Sequence, residues 1–170
     1  KHTIKNSHEN TLDTQDESDP LIEDLEVTLE ALREELHVRA ENAGSVVGPL
    51  VLEDDGDRVD CARLGKGGYS VPSIVEPDFI EIRRCTADFV LLVEKGTQWN
   101  RLSEDKFWRR YNCVLLTGNG QPPRGVRRLT RRLHEEFKIP VYVLVDNDPW
   151  GYYIYSVVKQ GSINLAFESE

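Results

Sequence analysis

Asp146 and Asp148 stand two residues apart, directly after the apolar run Val141-Tyr-Val-Leu-Val145 and just before Pro149-Trp-Gly151. In extended backbone, residues i and i+2 face the same side, so these two carboxylates would be held close enough to repel. A hard divalent cation with oxygen ligands relieves such a repulsion. A third acid, Glu94, follows a second apolar run, Phe89-Val-Leu-Leu-Val93. A third run, Cys113-Val-Leu-Leu116, ends in the loop Thr117-Gly-Asn-Gly-Gln-Pro-Pro-Arg-Gly125. Should these runs be neighbouring strands, three carboxylates from two strands meet at one edge, a ligand set suited to magnesium or manganese. The plainer alternative makes Glu94 an exposed loop acid and the two aspartates a cap and a turn.

The elements that must position these residues follow from periodicity. The three runs read as strands buried on both faces, as inside a parallel sheet. Between them lie a short helix capped by Ser103 and reaching about Tyr111, and a helix from Val126 to Lys138. The second has a stripe of Val126, Leu129, Leu133 and Phe137. A last helix is expected from Tyr152 to Lys159. Strand and helix in alternation predict an α/β fold, a Rossmann-like parallel sheet with right-handed crossovers, whose ligand site lies beyond the carboxyl ends of the strands.

The chain before this region is organised differently. Residues 1–19 are polar and read as loop or disorder. Ser18-Asp-Pro20 signals a helix start, and Leu21, Leu25, Leu29, Leu32 and Leu36 predict an amphipathic helix over residues 20–37. From Val46 to Leu64 short apolar runs surround Asp54-Asp-Gly56, a hairpin signal. Helix then hairpin predicts the rear, α+β part of a winged-helix domain over residues 20–75. Gly65-Lys-Gly-Gly-Tyr69 would be its wing tip or a linker, and Phe79–Ile82 a further short strand.

The formal charge of −9 is uneven: residues 1–60 carry 5 basic against 17 acidic side chains, residues 61–170 carry 16 against 13. The acidic excess lies wholly in the first third, and the remainder is mildly basic. Arg124, Arg127, Arg128, Arg131 and Arg132 crowd the helix after the Gly-Gln-Pro turn, and the first four share one side of it at i, i+3, i+4 and i+7. Such a stripe is either a solvated face or, beside a metal site, a set of phosphate contacts; Lys95 and Gln121 are further candidates. Tyr152-Tyr153, Trp99, Trp108 and Trp150 read as packing residues. Three widely spaced cysteines, with no CxxC pair, read as reduced, buried thiols of a cytoplasmic protein. No apolar run is long enough to cross a membrane as a helix. With no methionine, even at position 1, the chain reads as a fragment or processed piece.

Val93-Glu-Lys95, Thr117-Gly-Asn-Gly-Gln-Pro122 and Val145-Asp-Asn-Asp-Pro-Trp-Gly151 together resemble the Toprim domain of the A subunit of type IIB DNA topoisomerases (the topoisomerase VI family) and the related meiotic double-strand-break proteins. The Glu and Asp-x-Asp elements alone belong to many Toprim proteins; the Gly-x-Gly-Gln-Pro turn and the Asp-Pro-aromatic-Gly continuation narrow the resemblance. It runs from about residue 76 to the end, with residues 20–75 resembling the rear of the winged-helix domain and linker before it. The resemblance implies that Glu94, Asp146 and Asp148 bind Mg2+. It also implies duplex DNA as substrate, a homodimer of A subunits within an A2B2 assembly, a B subunit with ATPase activity as partner, and a nucleoid-associated location. The family's nucleophilic tyrosine sits in an Arg-x-x-Tyr-Tyr-like motif, which does not occur here, so no catalytic residue is expected in this chain. It is expected to bind metal and DNA without cleaving.

Three other readings remain open at this level. A Toprim nuclease or primase would use the acids themselves for hydrolysis or nucleotide transfer. A nucleotide-sugar glycosyltransferase shares Asp-x-Asp after a strand but leaves Glu94 and the Gly-Gln-Pro turn unexplained. A non-catalytic interaction module would not need a metal.

Overall fold

The computed structural model describes residues 15–29, 31, 35, 36, 38 and 41–161. It divides into two compact units, residues 1–40 and 41–170. In the first, α1 spans Gln15–Leu29. It starts earlier than the cap signal suggests and carries Pro20 inside it, where the missing N–H removes one helical hydrogen bond. Its leucines at 21, 25 and 29 are about half exposed, so the expected apolar stripe is present but uncovered. Leu32 and most of the helix's expected end lie outside the described residues.

The second unit is built on a five-stranded sheet in the order β4-β1-β7-β6-β8 and a three-stranded sheet in the order β3-β2-β5. The strands are β1 (Ser45–Val47), β2 (Leu50–Asp54), β3 (Asp57–Asp60), β4 (Tyr69–Ser70), β5 (Ile80–Cys85), β6 (Phe89–Val93), β7 (Cys113–Thr117) and β8 (Val141–Leu144). The helices between and after them are α2 (Gly96–Glu104), α3 (Phe107–Arg110), α4 (Arg124–Phe137) and α5 (Pro149–Gln160). β7, β6 and β8 run parallel, the predicted α/β core. β1 and β4 extend it antiparallel past β7.

Residues 41–85 hold strands and no helix; the helix of the expected helix-then-hairpin order is α1, which precedes them in the chain. The hairpin signal is met: Asp55 and Gly56 both take positive φ (49° and 83°), the two-residue turn whose twist suits paired strands. Its apolar runs pair with β5 and β7. β5 joins β2 in the small sheet.

Alternation along the central strands divides the core. Val90, Leu92, Val114 and Leu116 face α4, through Val126, Leu129 and Leu133, and also the small sheet, through Leu50, Leu52, Ile80 and Ile82. Val93 and Leu115 face the opposite way, against Trp99, Leu102 and Trp108 of α2 and α3. Helices thus leave β6 towards one face and β7 towards the other, the arrangement that in open α/β sheets puts a ligand site beyond the carboxyl ends of the strands.

Two local expectations fail. Ser103 is no cap: it lies buried inside α2, its hydroxyl donating to the Lys66 carbonyl at 3.1 Å. Among the described residues β8 is not doubly buried but pairs with β6 alone, with Tyr142 57% and Leu144 42% exposed on one face.

Candidate functional site

Glu94 is the first residue beyond β6 and Asp146 the second beyond β8, and the strands are direct neighbours. The backbone sets their proximity, since the Glu94 N–H donates to the Leu144 carbonyl at 3.0 Å. The Asp146 N–H in turn donates to Glu94 Oε2 at 3.0 Å. The two acids therefore converge at one sheet edge although 52 residues separate them.

Asp148 closes the same loop but is turned differently. Its Oδ1 accepts from the Gly151 N–H at 2.7 Å, and Pro149 follows at the first position of α5. It is therefore an N-cap of the preferred type, so the plainer reading of this residue describes its present geometry. Gly151 has a second role. A Cβ there would overlap the Asp146 carbonyl oxygen, so glycine is what allows the first turn of α5 to lie against the loop.

The loop after β7 braces the third side. Gly120 N–H donates to the Glu94 carbonyl at 2.8 Å, and Asn119 N–H to Thr117 Oγ1 at 3.0 Å. Gly118 lies against the backbone of Pro122 too closely for any side chain, and Gly96 lies against the Asn119 side-chain oxygen. The Gly-x-Gly-Gln-Pro turn thus supports the backbone of Glu94 and the start of α2.

The charge balance has one feature that sequence reasoning missed. Lys95 Nζ forms an ion pair with Asp146 Oδ2. Its pKa is raised above the ordinary lysine value, first by the hydrogen bond to Asp146 and then by that carboxylate's charge; Glu94 and Asp148 add to the effect. One ammonium thus feels all three acids. The adjacency of Lys95 to Glu94 was the only available signal.

Among the described residues, no three His, Cys, Asp or Glu side chains are gathered as a ready-made cation cage. The donor set nevertheless fits a hard divalent ion. It offers carboxylate oxygens only, on two adjacent strand ends, each now held by a partner that side-chain rotation can release. Glu94, Asp146 and Asp148 are the residues that could hold one.

The candidate DNA contacts separate. Arg128 makes a two-pronged pair with Glu76 (2.9–3.2 Å), and Arg131 pairs with Glu135 at 2.8 Å. Arg132 is buried, its Nη1 donating to the carbonyls of Val75 (2.6 Å) and Ile80 (2.7 Å), which makes it a structural clamp. Arg124 and Arg127 are half-buried and Gln121 is exposed. Acids thus occupy part of the predicted stripe.

The aromatic residues also divide. Trp99 is buried and donates from Nε1 to the Leu115 carbonyl at 3.1 Å. Trp150 stacks on Tyr153 at 5.1 Å between ring centres, and Tyr152 donates to Asn147 Oδ1. Trp150, Tyr152 and Tyr153 are all substantially exposed rather than packed in the core.

Residues 89–170 match the family described as the Toprim domain of the topoisomerase 6 A subunit/Spo11, and residues 40–86 match the all-beta domain in DNA topoisomerase VI alpha subunit. The chain is 48% identical over its whole length to the A subunit of type 2 DNA topoisomerase 6 from Pyrococcus abyssi, covering 44% of that protein. It is 46% identical over 162 residues to the corresponding protein of Halobacterium salinarum, covering 44% of it. It is also 44% identical over 155 residues to the A3 subunit of DNA topoisomerase 6 from rice (Oryza sativa subsp. indica), covering 35%. The chain thus spans less than half the length of these curated relatives.

Proposed function

The chain belongs to the family of topoisomerase 6 A subunits and Spo11, and from that premise we propose that it is the Toprim-bearing part of the DNA-cleaving A subunit of an ATP-dependent type IIB topoisomerase. Glu94, Asp146 and Asp148 hold magnesium at the carboxyl end of β6 and β8. The observation that carries this reading is the Glu94 carboxylate seated on the Asp146 backbone, with Asp148 two residues on.

Magnesium, when bound, supplies positive charge against the phosphodiester as a tyrosine displaces the strand and forms a 5′-phosphotyrosyl link. This chain contributes positioning: the β6–β8 pairing fixes the spacing of the acids, and the Gly-Gln-Pro turn holds the Glu94 backbone through the Gly120 N–H. The tyrosine belongs to another part of the full-length protein. Duplex DNA, a second copy of the A subunit, and a B subunit with ATPase activity in an A2B2 assembly are the partners proposed, on family kinship alone. Among the described residues no helix is long and apolar enough to cross a membrane.

The test is relaxation of supercoiled DNA by the full-length A subunit in complex with its ATPase partner, in the presence of ATP and magnesium. Glu94→Gln and Asp146→Asn should each lower the rate at least a hundredfold, and the 170-residue chain alone should cut nothing. Nicking of DNA by this chain with magnesium would replace the reading with a metal-dependent nuclease.

A further inference from the structure

We propose that Lys95 is the internal counter-cation of the acidic edge: a divalent ion takes its place on Asp146, and the released ammonium turns to a DNA phosphate. This inference rests on the functional reading above and goes beyond it, by giving the edge a charge that exchanges.

The geometry supports exchange rather than a fixed bridge. Lys95 Nζ pairs with Asp146 Oδ2, one of the oxygens a cation would use, and both side chains are partly exposed (49% and 38%). Exposed pairs are individually weak, so a divalent ion can compete for the carboxylate. The two cations cannot share it comfortably, because +2 and +1 charges about 4 Å apart repel even at the dielectric constant of water.

Only the side chain has to move. The Lys95 backbone is extended (φ −83°, ψ 119°) at the N-cap of α2, and its carbonyl accepts from the Trp99 N–H at 3.0 Å. The contrast with α4 is direct: Arg128 and Arg131 meet Glu76 and Glu135, whereas Lys95 meets an acid of the candidate metal site itself. A flexible stem carrying a compact ammonium suits a group that changes partners.

Mn2+ titrated into the 170-residue chain at constant ionic strength, followed by the electron paramagnetic resonance of the free ion, tests the first half. Lys95→Gln should bind Mn2+ about five-fold tighter than the parent, and Lys95→Arg should match the parent. In an Asp146→Asn background, Lys95→Gln should change nothing. Equal Mn2+ affinity in Lys95→Gln and the parent overturns the inference.

Duplex binding by fluorescence anisotropy tests the second half. Lys95→Gln should weaken binding several-fold with saturating Mn2+ and leave it unchanged in EDTA. Weakening of the same size in both conditions overturns the release step. Glu94→Gln separates the two levels of argument. Undiminished Mn2+ binding in that variant removes the metal-site reading and this inference together. Diminished binding there, with indifference to Lys95→Gln, leaves the reading standing and overturns the inference alone.

Discussion

Gly151→Ala sets two effects of opposite sign against each other. Gly151 is the third residue of α5, and alanine favours a helix over glycine by at most about 1 kcal/mol. Against this, the added Cβ would overlap the Asp146 carbonyl oxygen and stand 3.0 Å from its carbon and 3.2 Å from its nitrogen. These are backbone atoms, so no rotamer change relieves the overlap; the loop or the first helical turn must shift by roughly an ångström, which costs up to about 3 kcal/mol. The steric term wins, and the net is a destabilisation of about 2 kcal/mol. In a chain of this size that lowers the melting temperature by about 4–8 °C. The same shift pulls Asp148 from its cap and Asp146 from Glu94, so divalent-metal affinity should fall with stability. Urea denaturation and Mn2+ titration measure both. Gly151→Ala as stable as the parent, or more so, would refute the packing argument.

Arg132→Leu leaves the buried carbonyls of Val75 and Ile80 without their donor and should cost about 3 kcal/mol in urea denaturation. Arg131→Leu removes an exposed i, i+4 pair with Glu135, which is worth about 0.5 kcal/mol; equal costs for the two substitutions would contradict the assignment of Arg132 as a clamp. Burial, with the nearby Asp60 carboxylate adding to it, pushes the Cys61 thiol up to about 12 from an ordinary 9.0. A thiol whose folded pKa is raised favours the folded state up to the unfolded value, and that contribution is lost as pH climbs from about 9 towards 12. Stability should therefore fall by about 1 kcal/mol between pH 8 and 10 on this account. Cys61→Ala should flatten that slope; an unchanged slope counts against the buried thiol as its source.

Legibility in the sequence tracked how local each determinant is. The three strands and the helices after β7 and β8 follow from apolar runs and turn residues within a few positions, and the Asp54-Asp-Gly56 hairpin from two residues able to take positive φ; the helix after β6 starts at Gly96, seven residues before the expected cap at Ser103. Which strand lies at an edge is not local. Val141-Tyr-Val-Leu-Val145 has the composition of a doubly buried strand, yet among the described residues β8 has one neighbour, which composition does not encode. Tyr69–Ser70 and Ser45–Val47 are too short to signal strands and become so by pairing with each other and with β7. At the site, the spacing of Glu94 and Asp146 followed from strand order, whereas the ion pair of Lys95 depends on a side-chain choice between two nearby acids. Asp148 carried both signals, an acid beside a strand end and Asp-Pro at a helix start, and the present geometry uses the second.

Whether one divalent ion bridges the ends of β6 and β8 decides the functional reading. Crystals of this chain grown with Mn2+ should show an anomalous-scattering peak about 2.0–2.4 Å from carboxylate oxygens of both Glu94 and the Asp146–Asp148 loop, with Lys95 Nζ withdrawn from Asp146. Absence of that peak at saturating Mn2+, with the Lys95–Asp146 pair intact, would contradict it.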